Sequence, residues 1–305
     1  MEVQRHSMIN KRGVITVPAT FAHYTFGKRV FKQENKTVKQ LIKDNLQLYW
    51  IGLHGPDILF YYKPYKTNKV SSFGYNMHDE PARKFFERAA EIYKDAGLAG
   101  DFRTQEKMKA YLLGFVCHYA LDCCCHGYIE NKIHVSDVTH IEIEGEFDRR
   151  LMLDEGIDPM TNVLTRHIRP TMSNAKIIAP FFQGITSEEV CDALKGMKMS
   201  DRFFLSKNKA KQTFLMTGLK VARMNNLKGL VMHEDANVKC IDSDMRLKKL
   251  MDKAEAMALA LIDNYIEVLD GDVTLSEGFD FTFGAGDNWR AIPVLPVEEE
   301  VRYEV

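Results

Sequence analysis

The segment GFVCHYALDCCCHGYI, residues 114–129, places His118, Asp122 and His126 four residues apart. An α-helix advances about 100° per residue, so each step of four drifts by only about 40° along one face. Two imidazoles and a carboxylate therefore share a stripe about two turns long on a largely apolar helix. This pattern leaves three interpretations open: a metal site, a cysteine site, or a polar seam in a helix bundle.

Helical patterns dominate the rest of the chain. Pro18 suits the first turn of a helix in which Phe21 and Tyr24 belong to an apolar stripe, and Pro81 begins a helix that Gly97 ends. Strand signals are limited to short runs such as GVITV and DFTFG, without βαβ alternation. The sequence therefore predicts an all-α fold. Further helices are predicted near residues 38–49, 104–126, 138–153, 172–183, 187–196, 199–227 and 244–269, with a loop around 127–136.

The overall composition predicts one globular domain with two flanks. The 305 residues are 45% hydrophobic and 27% charged, which is enough to form a substantial core. We assign residues 1–17 to an N-terminal extension, 18–270 to the helical domain, and 271–305 to a loop-rich C-terminal flank. That flank ends in the acidic run VEEEVRYEV, where we expect poor order.

Charge and hydropathy limit the partners and the location. The net charge of −1 argues against nucleic acid as a structural partner. The N-terminus lacks the long apolar core of a secretion signal, and no window approaches the roughly 18 apolar residues of a spanning helix. We therefore expect a cytoplasmic protein. The pattern does not predict an oligomeric state.

Cysteine is the weaker candidate for a metal ligand. We expect free thiols in a protein of this location. Cys123, Cys124 and Cys125 are adjacent, so their side chains point about 100° apart on a helix and cannot all reach one tetrahedral ion. We expect them to fill space in or near the core.

A second pair of ligand-type residues supports the metal interpretation. His140 and Glu144, in THIEIEGEF, also lie four residues apart and belong on one helical face. Zinc binds imidazole nitrogen and carboxylate oxygen, and a catalytic zinc commonly keeps a coordination position for water. Two such helices within 30 residues favour a metal site over a polar seam.

The ordered set of ligand-type residues resembles the zinc-dependent phospholipase C family, which includes bacterial phosphatidylcholine-hydrolysing enzymes and shares its fold with the S1/P1 nucleases. The resemblance covers roughly residues 18–270 and implies a single multi-helix domain of this type. The segment FAHYTFGKRV resembles the first helix of the family and places His23 at its histidine. The other matching residues are Asp57 (in GPDI), His78, His118, Asp122, His126, His140 and Glu144.

The resemblance implies two to three zinc ions and a phosphodiester substrate, most simply a phospholipid. Asp122 would bridge two ions, and Asp57 would be the general base. The secreted enzymes begin with a zinc-binding tryptophan, which this chain lacks near its start. The alternatives are hydrolysis of non-lipid phosphoesters such as nucleotides, and a non-enzymatic member in which zinc only fixes the fold. The implied zinc positions are Asp57, His78, His118 and Asp122 for one ion, His126, His140 and Glu144 for another, and His23 with Asp122 for the third.

Several other residues have two interpretations. His54 and His134 are alternative ligands, whereas His6, His167 and His233 are predicted to be surface residues. The aromatic run at 60–62 is either a wall that binds a quaternary ammonium or a hydrophobic anchor. Between residues 198 and 228 there are eight Lys or Arg and one acidic residue. This stretch is either a solvated helix face or a surface for phosphate or transient contact with an anionic membrane.

Overall fold

The structure, a computed structural model, describes residues 19–222 and 225–305, without the side chains of 225 and 226. The described residues are mainly helical and contain no strand, which confirms the all-α prediction. An isolated bridge joins Pro81 and Thr282 in the DFTFG run, and GVITV lies outside the described residues. The helices are α1 (Thr20–Gln33), α2 (Lys36–Asp44), α3 (Leu46–Gly52), α4 (Lys69–Asp79), α5 (Ala82–Leu98), α6 (Phe102–Val135), α7 (His140–Asp154), α8 (Met172–Ile178), α9 (Ser187–Phe204), α10 (Lys209–Val221), α11 (Ile241–Asp270) and α12 (Val297–Glu300). Short 3-10 helices include Gly55–Tyr61, Asn225–Leu230 and Glu277–Phe279.

Helix α6 forms the centre of the fold, and α1, α3, α5 and α11 pack around it. It begins after Asp101, whose side chain accepts a hydrogen bond from the Thr104 N–H at 3.1 Å. Nearly every residue from 108 to 132 is buried, so the stripe that contains His118 lies inside the protein. A ligand-bearing helix surrounded by others can receive further ligands from several neighbours.

Two of the predicted helix boundaries that are wrong fall at a glycine. The expected loop at 127–136 is helical as far as Val135, because α6 continues through Gly127. A Cβ there would lie 2.6 Å from Ile292 Cδ1, so glycine permits close packing of the C-terminal segment. Likewise α9 continues through Gly196, where a Cβ would lie 2.2 Å from the Tyr61 carbonyl oxygen, and the chain instead breaks between Phe204 and Lys209.

Hydrogen bonds at two helix starts fix the site residues. Thr139 and Glu142 form a capping box, so that α7 begins at His140. One turn beyond Glu144, Asp148 accepts the N–H groups of Phe21 at 2.9 Å and Ala22 at 2.8 Å. This bond pair joins the first turn of α1, and therefore His23, to α7.

The C-terminal segment packs onto the helices, so the expected poor order of the acidic tail is wrong. Glu300 is fully buried and accepts two hydrogen bonds of 2.7 Å from Arg246 of α11. Asn131 donates to the Ile292 carbonyl at 2.7 Å, and the Gly284 N–H donates to the His78 carbonyl at 3.0 Å. Burying an arginine–glutamate pair requires this bidentate geometry, which a composition-based expectation cannot supply. Across the described residues, no helix is long and apolar enough to cross a membrane.

Candidate metal centre

The fold brings the predicted ligands together in two groups. His23, Asp57, His118 and Asp122 form the first group, in which one ligand atom of each residue lies within 4.8 Å of all the others. His126, His140 and Glu144 form the second group by the same measure. Seven of the eight predicted residues are buried, and only His140 is partly exposed. The eighth, His78, contacts the first group, as described next.

The first group centres on Asp122. Its Oδ2 lies 2.9 Å from His118 Nε2, and its Oδ1 lies 3.2 Å from His23 Nε2. His78 Nε2 lies 3.1 Å from Asp57 Oδ1 and 3.8 Å from Asp122 Oδ2. Two ligands of a tetrahedral zinc ion at bond lengths of about 2.0–2.1 Å lie about 3.3 Å apart. These separations therefore match donor atoms that share an ion.

Close packing of the backbone places Asp57 beside the other residues of this group. Gly55, just before it, has a φ of +46°, a value that disfavours residues with a side chain. A Cβ at Gly55 would also lie 2.1 Å from His118 Cδ2. The first residue of the 3-10 helix therefore lies directly against the His118 imidazole of α6, and Asp57 Oδ2 lies 3.7 Å from His118 Nε2.

The second group lies one turn further along α6 and faces α7. His140 Nε2 lies 3.1 Å from Glu144 Oε1, and His126 Nε2 lies 3.8 Å from the same oxygen. Three protein ligands of this kind leave a coordination position for water at a zinc ion.

Unpartnered atoms test whether these residues fit a metal. His118 Nε2 and Asp122 Oδ2 are buried and have no hydrogen-bond partner, in spite of their short separation. Glu144 Oε2 is also buried without one. Leaving such a group unsatisfied costs about 1–3 kcal/mol, and more when it is charged. Imidazole and carboxylate donors directed at common points suit divalent zinc, so the residues fit the ion.

Backbone carbonyls set the tautomers of two histidines. His78 Nδ1 donates to the Gly74 carbonyl at 2.8 Å, and His126 Nδ1 donates to the Phe283 carbonyl at 2.6 Å. A carbonyl only accepts, so both Nδ1 atoms carry a proton, and in each ring Nε2 is the nitrogen that can bind a metal once it has lost its own proton. Sequence reasoning missed Phe283, because a main-chain acceptor from a loop leaves no signal in residue type.

The electrostatics favour ionised carboxylates. Burial raises the pKa of Asp122, but His118, His126 and His23 outweigh it and hold that pKa well below its usual range. Burial opposes ionisation of Glu144 too, yet His140 and His126 lower its pKa to about 2. In turn, Asp122 and Glu144 overcome the burial of His126 and raise its pKa to about 10. The cluster thus favours positive charge, as a cation site requires.

The remaining histidines lie outside both groups. His54 and His167 are buried and share a 2.8 Å contact between their Nε2 atoms, so the surface prediction for His167 is wrong. Burial keeps both imidazoles neutral, because it lowers the pKa of His54 well below its usual value and that of His167 to about 3. His134 is exposed beside Trp289, and His233 is exposed as predicted, while His6 lies outside the described residues. Neither alternative ligand joins a ligand group.

The cysteines do not form a site with these ligands. All six are free thiols, and none belongs to either group. Cys125 is buried, and burial raises the pKa of its thiol well above the usual value. Cys124 Sγ instead contacts Met257 Sδ at 3.8 Å. A thiol held protonated is a poor metal ligand, which agrees with a space-filling role.

The aromatic run after Asp57 supports the fold. Phe60 is 5% exposed and stacks on Tyr75 with ring centroids 4.2 Å apart. Tyr61 is also buried, whereas Tyr62 lies under the Lys63 ammonium at 4.8 Å. The hydrophobic-anchor interpretation therefore accounts for Phe60 and Tyr61.

Comparison with known proteins identifies the family. Residues 22–189 match the sequence profile described as zinc dependent phospholipase C. This match covers 168 of the 305 residues and includes all eight predicted ligands. The chain therefore belongs to the zinc-dependent phospholipase C family, and this membership supports a zinc-dependent phosphodiesterase type of function. No curated protein and no solved structure matches the chain.

Proposed function

We propose that this protein is a zinc-dependent phosphodiester hydrolase of the phospholipase C type, with a phospholipid as its substrate. The observation that carries the proposal is the position of Asp122. Its two oxygens approach imidazoles from different helices, His23 on α1 and His118 on α6. One carboxylate held in this way can serve two ions. A zinc ion that only fixes a fold normally has four closed protein ligands, whereas the second group, His126, His140 and Glu144, supplies three.

The proposed ligand sets follow the two groups and their neighbours. His126, His140 and Glu144 would hold one ion and leave a position for water or substrate. Asp122 would be shared by the other two positions, with Asp57, His78 and His118 as the further residues of one and His23 as the further residue of the other. Bound zinc supplies Lewis acidity, which withdraws charge from a phosphodiester and lowers the pKa of a water towards about 7.

The chain's own residues then orient the imidazoles and accept a proton. Asp57 is the proposed general base, and its two oxygens face different imidazoles, His78 at 3.1 Å and His118 at 3.7 Å. An oxygen not engaged by a cation is available to take the proton of an attacking water. The Gly74 and Phe283 carbonyls accept from Nδ1 of His78 and His126 and so orient both rings with Nε2 as the nitrogen that would bind a metal. The partial exposure of His140 makes the start of α7 the proposed side of substrate entry.

The substrate class is tested with soluble chromogenic esters. Zinc-loaded protein is assayed with p-nitrophenyl phosphorylcholine, a nucleotide p-nitrophenyl diester and p-nitrophenyl phosphate. Preference for the choline diester supports the phospholipase proposal, and preference for the nucleotide diester supports the non-lipid alternative. Absence of hydrolysis of all three by zinc-loaded protein contradicts both and supports a non-enzymatic member. Asp272→Asn, an exposed carboxylate outside the cluster, is the matched control for Asp122→Asn. The cytoplasmic location stays a prediction of the sequence.

A further inference from the structure

Helix α10 buries little of its surface against the rest of the protein. Of its 13 residues, only Leu215 is buried. Phe214 is 74% exposed and Val221 is 79% exposed. Large apolar side chains this exposed on a helix with so little buried surface indicate a function for the exposed face.

The outward face of α10 carries no charge. Its members recur at intervals of three and four residues, so they lie side by side on the helix surface. All are exposed, and they combine apolar side chains with threonine and glycine. They are Ala210, Thr213, Phe214, Thr217, Gly218 and Val221. The surface of an ordinary soluble helix has charged residues at such positions.

Basic residues flank this uncharged face. Lys209 and Lys220 are exposed near its two ends, and α10 contains no acidic residue. Lys207 and Lys211 are already engaged, the first with Asp158 at 2.5 Å and the second with the Leu205 carbonyl at 2.9 Å. The long lysine stems can lie along an apolar layer while their ammonium groups remain in a polar one.

The end of α9 also exposes large apolar side chains beside a basic residue. Met199 is 71% exposed and Phe203 is 56% exposed, with the exposed Arg202 between them. The chain from Met199 to Val221 therefore presents two aromatic side chains, two aliphatic ones and several cations. We call this stretch, residues 199–221, the α9–α10 surface.

One short element connects this surface to α7, the helix that carries His140 and Glu144. The 3-10 helix Asn225–Leu230 contacts both α10 and α7. Near its end, Gly229 meets α7 so closely that a Cβ at Gly145 would lie 2.4 Å from the Gly229 carbonyl oxygen. Gly145 is adjacent to Glu144 of the second ligand group. Docking through α10 would therefore act through an element that packs directly on α7, which carries His140 and Glu144.

We propose that the α9–α10 surface docks the protein on anionic phospholipid bilayers. A helix with an apolar face and basic flanks lies in the interfacial plane, with its apolar side chains in the boundary between headgroups and acyl chains. Lysine near an anionic leaflet adds attraction that decays within a Debye length. The absence of acidic residues on α10 matches a negatively charged partner. This proposal deepens the proposed function, because it names the surface through which a phospholipid hydrolase would reach its substrate.

The test measures binding to vesicles separately from hydrolysis. Sedimentation with sucrose-loaded vesicles compares pure phosphatidylcholine with a mixture of phosphatidylcholine and phosphatidylglycerol, at low and high salt. The double variants Phe214→Ser/Val221→Ser and Lys209→Glu/Lys220→Glu alter only exposed side chains. The matched controls are Leu98→Ser, 87% exposed at the end of α5, and Lys43→Glu, exposed on α2. Zinc content and circular dichroism of each variant report on folding.

The proposal predicts binding to the anionic vesicles that weakens with salt. Replacing two lysines near the surface with glutamate lowers that affinity by at least about thirtyfold, and the Phe214 and Val221 variant also loses binding, while both controls bind as the wild type does. The proposal would be overturned if the wild type did not bind anionic vesicles, or if the α10 variants bound them as well as the controls do. Self-association that depends on Phe214, without vesicle binding, would overturn it in favour of a second copy of the chain. If wild type binds vesicles through α10 but hydrolyses none of the soluble esters, the docking surface stands and the proposed function fails.

Discussion

His118 Nε2 lies 2.9 Å from Asp122 Oδ2 inside α6, and yet neither atom has a hydrogen-bond partner. Two buried polar atoms this close are normally aligned to share a proton. Here they converge on a common point together with His78 Nε2, which lies 3.8 Å from the same oxygen. This convergence is the geometry of ligands around a cation.

Metal removal should therefore destabilise the fold. A chelator leaves the carboxylate of Asp122 buried among imidazoles without its cation, and an ion present at 100 times its dissociation constant contributes about 2.7 kcal/mol. We expect the melting temperature to fall on adding EDTA and to recover with zinc. The same chelator should shift the Asp122→Asn variant much less. Equal shifts in the two proteins would contradict the assignment of this carboxylate.

The three consecutive cysteines should be dispensable for zinc. Cys123, Cys124 and Cys125 stand outside both ligand groups, and burial raises the pKa of each thiol. The triple alanine variant should keep its full zinc content by elemental analysis, with a modest loss of stability from the space left at Cys125. Loss of one equivalent of zinc would show that a thiolate is a ligand.

Gly145 should be intolerant of a side chain. Alanine there would place Cβ 2.4 Å from the Gly229 carbonyl oxygen, and such overpacking costs about 1–3 kcal/mol. Gly218, on the exposed face of α10, has open space around it, so Gly218→Ala should stabilise the protein by about 1 kcal/mol. Urea unfolding of both variants measures the contrast. A Gly145→Ala protein as stable as Gly218→Ala would refute the close contact between α7 and the 3-10 helix Asn225–Leu230.

His167 should contribute to acid sensitivity. Burial lowers its pKa from 6.5 to about 3 in the folded protein, so between these values only the unfolded chain binds the proton. Stability therefore falls as the pH drops through this window, by about 2 kcal/mol between pH 7.5 and 5.0. Urea unfolding at the two pH values measures the loss in the free energy of unfolding. In His167→Gln this loss should be smaller by about 2 kcal/mol than in the wild type. The exposed His233→Gln is the control, and an unchanged loss in His167→Gln would contradict the buried neutral state.

Sequence reasoning reached the fold class and the ligand-type residues because both depend on short-range periodicity. Steps of four residues place His118, Asp122 and His126 on one face wherever α6 lies in the fold. The same logic failed at Gly127 and Gly196, because a glycine that permits close packing has the same local signal as one that ends a helix. Tertiary contact alone decides between the two.

Other parts of the site depend on contacts between distant segments. The Phe283 carbonyl reaches His126 from a loop 157 residues later in the chain. His167 is buried among His54, 113 residues away, and the rings of Tyr24 and Trp50. Residue type does not encode either contact, and the buried pair of Arg246 and Glu300 was missed for the same reason.

The central claim is that Asp122 serves two zinc positions, and zinc stoichiometry tests it most directly. After dialysis, elemental analysis should find at least two zinc ions per wild-type chain. Asp122→Asn should lose more zinc than His126→Ala, because the amide lacks the charge that offsets two neighbouring cations. The same variant should no longer hydrolyse p-nitrophenyl phosphorylcholine, while its helical circular dichroism is retained. Less than one equivalent of metal in the wild type, or full zinc and full activity in Asp122→Asn, would contradict the account and leave the stripe on α6 as a polar seam.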